Sequence, residues 1–274
     1  MTINCHGHLI DLSVPRVMGI LNVTPDSFYD GGKHNNLDTL LAQAAVMLAD
    51  GATFLDVGGY SSRPGADDVN LDQEIGRVLP AIKALHQTFP QALISIDTFR
   101  SSVAQAAIDA GACMVNDISG GQADPDMFAA VGSASVPMVL MHMRGTPQTM
   151  TSLSQYDNVI IEVTQELATR IAQARSHGIN DLIIDPGFGF AKTRAQNFEL
   201  LNQLEHLIHL KLPILAGLSR KSMIYKTLDK SPEQALNGTT VMNTIALQKG
   251  ACILRVHDVA QAQETISLVQ ALKN

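Results

Sequence analysis

The feature that most constrains this chain is an eightfold alternation. Eight short runs rich in Val, Ile, Leu and Met recur, roughly VMGILN (17–22), TFLDVG (53–58), LISIDT (93–98), CMVND (113–117), PMVLMH (137–142), LIIDP (182–186), PILAG (213–217) and CILRVH (252–257). Runs this short and this continuously apolar suit parallel strands covered on both faces. The longer stretches between and after them predict helices near 37–50, 72–88, 100–110, 125–132, 155–177, 195–206, 232–249 and 258–272. Gly51, Gly111, Gly178 and Gly250 each follow such a stretch and lead into the next strand, where glycine accepts the left-handed conformation that closes a helix. Strand–helix alternation repeated eight times is the pattern of a closed parallel barrel. An open doubly wound sheet would alternate too, but eight units in 274 residues favour the barrel. With a hairpin-like segment before the first strand and no linker between units, the expectation is one domain over residues 1–274, an α/β TIM (β/α)8 barrel.

Charge narrows the partners. A net charge of −7 argues against wrapping nucleic acid, and no stretch of about 18 uninterrupted apolar residues is available to span a bilayer. The opening MTINCHGHLIDLS lacks the basic-then-apolar order of a secretory signal, so a cytoplasmic location is expected. Three cysteines are an odd number without paired spacing, and Cys113 and Cys252 fall in apolar runs, which predicts buried thiols rather than disulfides. An acidic chain that binds an anion must gather its few cations in one place.

In a barrel, the loops after the strands build the working face. The polar residues at those ends are Asn22, Asp97, Asn116, His142, Asp185, Ser219 to Lys221, and Arg255 with His257, with Gly58 and Gly59 ending the second strand. Asp97, Asn116 and Asp185 end or interrupt apolar strands, where a carboxylate is costly without a donor. The donors open to them are internal cations, a metal, or a ligand edge carrying N–H groups. Arg63, Arg220, Lys221, Arg255 and His257 fall around one rim and suggest an anion or diphosphate site. The loops NVTPDSFYDGG (22–32) and GGYSSRPGA (58–66) are long, polar and flanked by glycine, as lids are.

At this level of detail the chain resembles the dihydropteroate synthase family. MGILNVTPDSF, DVGGYSSRPGA, SIDTFR, VNDISGG, MHMRGTPQTM, DPGFGFAKT, GLSRKS and RVHDV follow in that family's order and spacing from Pro15 to Val269. The resemblance implies condensation of a dihydropterin methyl diphosphate with 4-aminobenzoate in folate biosynthesis. Asp97, Asn116 and Asp185 would then hold the pterin edge, Lys221 would reach its carbonyl and N5, and Arg255 would stack on the ring and face the diphosphate. The resemblance counts Asp97, Asp185, Lys221 and Arg255 as catalytic. Met138 or Met141, Phe190 and Gly217 would wall the ring. Asn22, Arg63, Arg255 and His257 would bind diphosphate, with Mg2+ at Asn22, and Phe28, Ser62, Arg63, Pro64 and Ser222 would surround aminobenzoate. Ser222 opens a short helical stretch whose free N–H groups would favour a carboxylate. The family also implies a homodimer through helices far from the site.

This chain departs from the family's usual GGESTRPG and DSFSDGG at Tyr60, Ser62 and Tyr29. Ser62 keeps the usual hydroxyl; the two tyrosines fall in the lid loops. Three other readings compete. A metal-dependent hydrolase would use His6, His8, His142 and His257, although the first two precede the barrel and should lie at its base. A pterin-binding methyltransferase, or a noncatalytic pterin-binding module, would have no need of Arg63, Lys221, Arg255 and His257 together.

Overall fold

The computed structural model of the chain describes residues 1–23, 33–60 and 69–272. A two-stranded antiparallel hairpin, β1 (Thr2–Cys5) and β2 (His8–Asp11), comes first. Its two-residue turn places His6 and Gly7 at φ of 48° and 88°, the left-handed pair that suits the twist of a tight hairpin. Eight parallel strands then close into a barrel: β3 (Arg16–Asn22), β4 (Phe54–Gly58), β5 (Leu93–Asp97), β6 (Met114–Asp117), β7 (Met138–Met141), β8 (Leu182–Asp185), β9 (Ile214–Ala216) and β10 (Ala251–Val256). Neighbours in sequence are neighbours in the sheet, and β10 pairs with β3 to complete the ring.

Helices α1 (Lys33–Ala49), α2 (Leu71–Thr88), α3 (Ser101–Asp109), α4 (Met127–Ala134), α5 (Val159–Ser176), α6 (Arg194–Asn202), α7 (Ser222–Tyr225), α8 (Leu236–Gln248) and α9 (Val259–Ala271) lie between and after the strands. The predicted helix near 195–206 is divided, α6 giving way to a 3-10 helix over Leu204–Leu210. Gly51, Gly111, Gly178 and Gly250 all have positive φ, as their places after helices require.

Alternation along each strand sorts the core into two compartments. Outward residues such as Val17, Leu55, Val57, Ile94, Ile96, Leu140, Ile184 and Leu254 pack with the helices in the larger cluster. Inward residues near the strand beginnings, Met18, Phe54, Met114, Val139, Ile183, Leu215 and Ile253, form a second cluster with Ile3, Cys5 and Leu12. The hairpin therefore plugs the base of the barrel. The backbone N–H of Asn4 ties it down by donating to Asp181 Oδ2 at 3.2 Å. All three cysteines are free thiols, Cys5 and Cys113 buried and Cys252 half-buried; Cys113 stands just before β6 rather than within it. His6 and His8 are exposed on the plug, at the end opposite His142 and His257.

Candidate active site

Two residues beyond the apolar layer, several of the inward positions turn polar, among them Asp56, Asn116, Asp185 and Arg255. Adjacent strand ends bring Asn22 beside Gly58, Gly58 beside Asp97, and Asp97 beside Asn116. Gly58 makes room: a methyl group there would stand 3.4 Å from Asp97 Cβ. Arg255, projecting from β10, spans the floor. Its Nε donates to Asp56 Oδ2 and its Nη2 to Asp97 Oδ2, both at 2.6 Å, while Asn116 Nδ2 donates to Asp56 Oδ2 at 2.9 Å.

Asp56 was not among the residues singled out from the sequence. It is fully buried, and its Oδ1 has no partner among the described residues. The signal was present: one carboxylate in an otherwise apolar run, two residues before Gly58 and so on the same inward face. Burial raises the Asp97 carboxyl above its ordinary value, with the Asp56 charge adding to the rise and Arg255 opposing it. Burial also works against the Arg255 charge, but Asp56 and Asp97 outweigh it, so the guanidinium stays protonated.

The opposite wall comes from β8 and the loop after it. Asp185 is buried and accepts the Gly187 N–H on Oδ1 at 2.7 Å. Its carboxyl is raised by burial, with Lys221 as the foremost opposing charge. Gly187 has φ of 70°, and a Cβ there would lie 1.9 Å from the His142 carbonyl oxygen, so no side chain fits. Thr193 caps α6 in a box with Gln196. Buried Asn197 accepts the Gly189 N–H at 2.6 Å and donates to the Thr193 carbonyl at 2.7 Å, which fixes the loop. Lys221 donates to the Phe188 carbonyl, and its Nζ stands 4.7 Å from the centre of the Phe190 ring. Burial lowers Lys221 to about 8, with Arg255 lowering it further and Asp185 opposing.

Gly217 leaves the space between these walls open, since a Cβ there would meet only Asp185 Oδ2 at 3.7 Å and Lys221 Nζ at 4.0 Å. A small apolar cluster of Ile118, Met141, Met143, Met150 and Ala191, with Phe99 and Phe190 packed on it, borders the polar floor. Of the two expected methionine walls, Met141 belongs here. Met138 has the other parity and lies in the outward cluster, so it is not a wall.

Among the described residues the cation rim is smaller than the sequence suggested. Arg220 turns to Asp258, with Nε to Oδ2 at 3.1 Å and Nη2 to Oδ1 at 2.6 Å, and braces two neighbouring loops instead of facing the mouth. His257 Nδ1 lies 3.0 Å from Ser219 Oγ, which also accepts the His257 backbone N–H at 3.3 Å. Asn22 is exposed at the end of β3. Ser222 is exposed as the first residue of α7, but α7 is only four residues long, too short for aligned peptide dipoles to add much to the hydroxyl. Phe28, Tyr29, Ser62, Arg63 and Pro64 lie outside the described residues.

Tyr60 is described. Its hydroxyl accepts from Gln148 Nε2 at 2.8 Å, and its ring meets Phe99 edge-on at 5.0 Å. With Arg100 and Met143 these residues line a neighbouring cavity of about 330 Å³. Among the described residues, no three His, Cys, Asp or Glu side chains converge as a metal site.

An inward-facing floor of three carboxylates and an amide, crossed by a guanidinium and flanked by an ammonium, suits a flat heterocycle with an N–H edge and an anionic substituent. The comparisons with known proteins agree. The family model described as pterin binding enzyme matches residues 18–257. The dihydropteroate synthase of Escherichia coli (strain K12) is 42% identical over 273 residues, which is 99% of this chain and 96% of that protein. The solved Xanthomonas albilineans dihydropteroate synthase with 4-aminobenzoic acid matches at a TM-score of 0.92 and 42% identity, covering 99% of this chain and 98% of that one. A structure of the Xanthomonas albilineans enzyme in complex with 7,8-dihydropteroate matches at 0.90 and 40%, covering 100% and 99%. The chain belongs to the dihydropteroate synthase family of pterin binding enzymes.

Proposed function

We propose that this chain condenses 6-hydroxymethyl-7,8-dihydropterin diphosphate with 4-aminobenzoate, giving 7,8-dihydropteroate and diphosphate. The observation that carries the reading is the inward floor of Asp56, Asp97, Asn116 and Asp185 crossed by Arg255. A pterin presents a 2-amino group beside a ring N–H, which pairs with carboxylate and amide oxygens. Lys221 answers with a donor for the ring carbonyl and N5. Arg255, already beside Asp56 and Asp97, stacks on the ring and meets the diphosphate from below.

The chemistry breaks the methylene C–O bond, with the electron pair leaving on diphosphate, and forms a C–N bond from the aryl amine, which then gives up a proton. We infer a dissociative order, because positive charge at the methylene spreads into the pterin ring and the buried carboxylates stabilise it. An aryl amine is unprotonated at neutral pH, so no strong general base is needed. Arg255 and His257 stabilise the departing anion, and Arg63 joins them in the family pattern. That pattern places aminobenzoate among Phe28, Ser62, Arg63, Pro64 and Ser222.

Magnesium fits this donor set only as a shared ion. Asn22 offers one hard amide oxygen from an exposed strand end, and no carboxylate cluster accompanies it among the described residues, so most ligands would be diphosphate oxygens and water. When bound, the ion neutralises leaving-group charge. A homodimer formed through barrel helices is part of the proposal. Exposed Val241 on α8 and Leu268 on α9 support it, and sedimentation measures it. A cytoplasmic location is proposed as well; no described helix is long and apolar enough to cross a membrane.

The test is incubation of purified protein with the pterin diphosphate, 4-aminobenzoate and magnesium while dihydropteroate and free diphosphate are followed. Equal yields of both are expected. A methyltransferase or a noncatalytic pterin-binding module would release no diphosphate.

A further inference from the structure

Behind the floor runs a chain of polar groups that the reaction above does not use. His142 follows β7, and its side chain is wholly buried. Its Nδ1 lies 2.9 Å from Lys192 Nζ and its Nε2 lies 3.0 Å from Glu166 Oε2 on α5. Burial works against the Glu166 charge, but hydrogen bonds from His142 and Arg144 outweigh it and bring the carboxyl down to about 2. An ionised carboxylate only accepts, so His142 carries its hydrogen on Nε2 and accepts on Nδ1. Burial first, and then the Lys192 charge, hold the imidazole neutral by lowering it to about 3.

The direction of the chain is therefore fixed from Lys192 through His142 to Glu166. Arg144 holds the far end, its Nε donating to Glu166 Oε1 at 2.8 Å. Lys192 Nζ has two further partners, the carbonyl oxygens of Gly187 and Phe190, each at 3.1 Å. Burial pulls Lys192 well below its ordinary value, with Asp185 opposing. Yet all three neighbours of Nζ are acceptors, and an amine lone pair would face one of them. The site holds the ammonium, with each N–H used.

The two carbonyls gripped by Lys192 belong to residues that matter to the floor. Gly187 is the residue whose own N–H holds Asp185 Oδ1, and Phe190 carries the ring beside Lys221 Nζ. We propose that Lys192 is a positioning residue for the pterin site: anchored by His142 and Glu166, it clamps the Gly187–Phe190 turn so that Asp185 and Phe190 meet the heterocycle in one geometry. This rests on the reading of Asp185 as a pterin contact. It also gives a role to a buried histidine at a strand end whose two ring nitrogens are both engaged by side chains of the protein.

Kinetics and thermal unfolding of the full chain test it. Lys192→Met keeps the aliphatic stem and removes the three donors. The KM for pterin diphosphate should rise roughly tenfold or more, the loss expected for charge-assisted bonds, while the KM for 4-aminobenzoate stays within about twofold. In an Asp185→Asn background the same change should add little, because residues acting through one group are not additive. Glu166→Gln, at a partly exposed position, should raise the same KM by about two- to threefold. Equal rises in both KM values, or full additivity with Asp185→Asn, overturn the proposal. If Lys192→Met does not fold, Glu166→Gln decides, and an unchanged pterin KM overturns it. A normal Asp185→Asn effect beside a silent Lys192→Met sinks this inference alone. Wild-type pterin affinity in Asp185→Asn sinks the reading of the floor as well.

Discussion

At the base of the barrel the inward residues are Met18, Phe54, Met114, Val139, Ile183, Leu215 and Ile253; two residues further along the same strands they are Ile20, Asp56, Asn116, Met141, Asp185, Gly217 and Arg255. One alternation builds both layers, and their energetics oppose each other. The lower layer buries apolar surface under the hairpin and stabilises the fold. The upper layer buries charge, where desolvation offsets most of what the ion pairs return. Its arrangement makes sense only if something binds against it. Changes in the lower layer should therefore affect stability alone, and only changes in the upper layer should reach substrate binding and turnover.

The largest expected effect is at the top. Arg255→Ala strands Asp56 and Asp97 without their shared cation, so turnover should fall by about 10³-fold or more. Unfolding should become easier by about 3–5 kcal/mol, because a lone buried charge is worse than a pair. A variant that keeps wild-type kcat would end the distinction between the layers. At the base, Phe54→Ala should cost about 3–5 kcal/mol in denaturant unfolding, while both KM values of the remaining folded enzyme stay near wild type. A large rise in the pterin KM there would show that the two layers are coupled.

Gly217→Ala should sharpen the contrast in the other direction. The added methyl meets only ordinary contacts at 3.7 and 4.0 Å, so thermal unfolding should barely change. The methyl occupies the space proposed for the ring, however, and pterin affinity should drop about tenfold; calorimetry measures it. The mildest expected effect is one of pH. Lys221 lies below its ordinary value at about 8, and only its ammonium form carries the charge that the ring carbonyl and N5 are proposed to meet. Activity should halve near pH 8 and then decline by up to about tenfold per unit as the proton is lost. Lys221→Arg should remove that alkaline limb from the kcat/KM profile, whatever it does to the plateau.

Much of this was legible in the sequence for one reason: inward parity and strand-end position are one-dimensional properties. They placed Asp97, Asn116, Asp185 and Arg255 together, and eight runs sufficed for the barrel. The same parity would have separated Met141 from Met138 and marked Asp56, had it been applied within strands as well as at their ends. Side-chain direction in loops was not legible. Arg220 and Lys221 are neighbours in sequence, yet one braces Asp258 and the other faces Asp185. The partnership of Lys192 with His142 and Glu166 joins three separate units of the chain, and no spacing rule connects them.

The hairpin plug also bears on traffic. With the base sealed by Ile3, Cys5 and Leu12, the described residues make the barrel a vessel filled from its mouth. Occupants of such a vessel queue: on the proposed reading the heterocycle lies deepest, so it should enter first, with the amine arriving above it. Departure should then run the other way, with diphosphate, proposed to sit nearer the mouth, leaving ahead of the ring. Excess diphosphate should therefore re-enter above a resident product and hold it in, much as a stopper does.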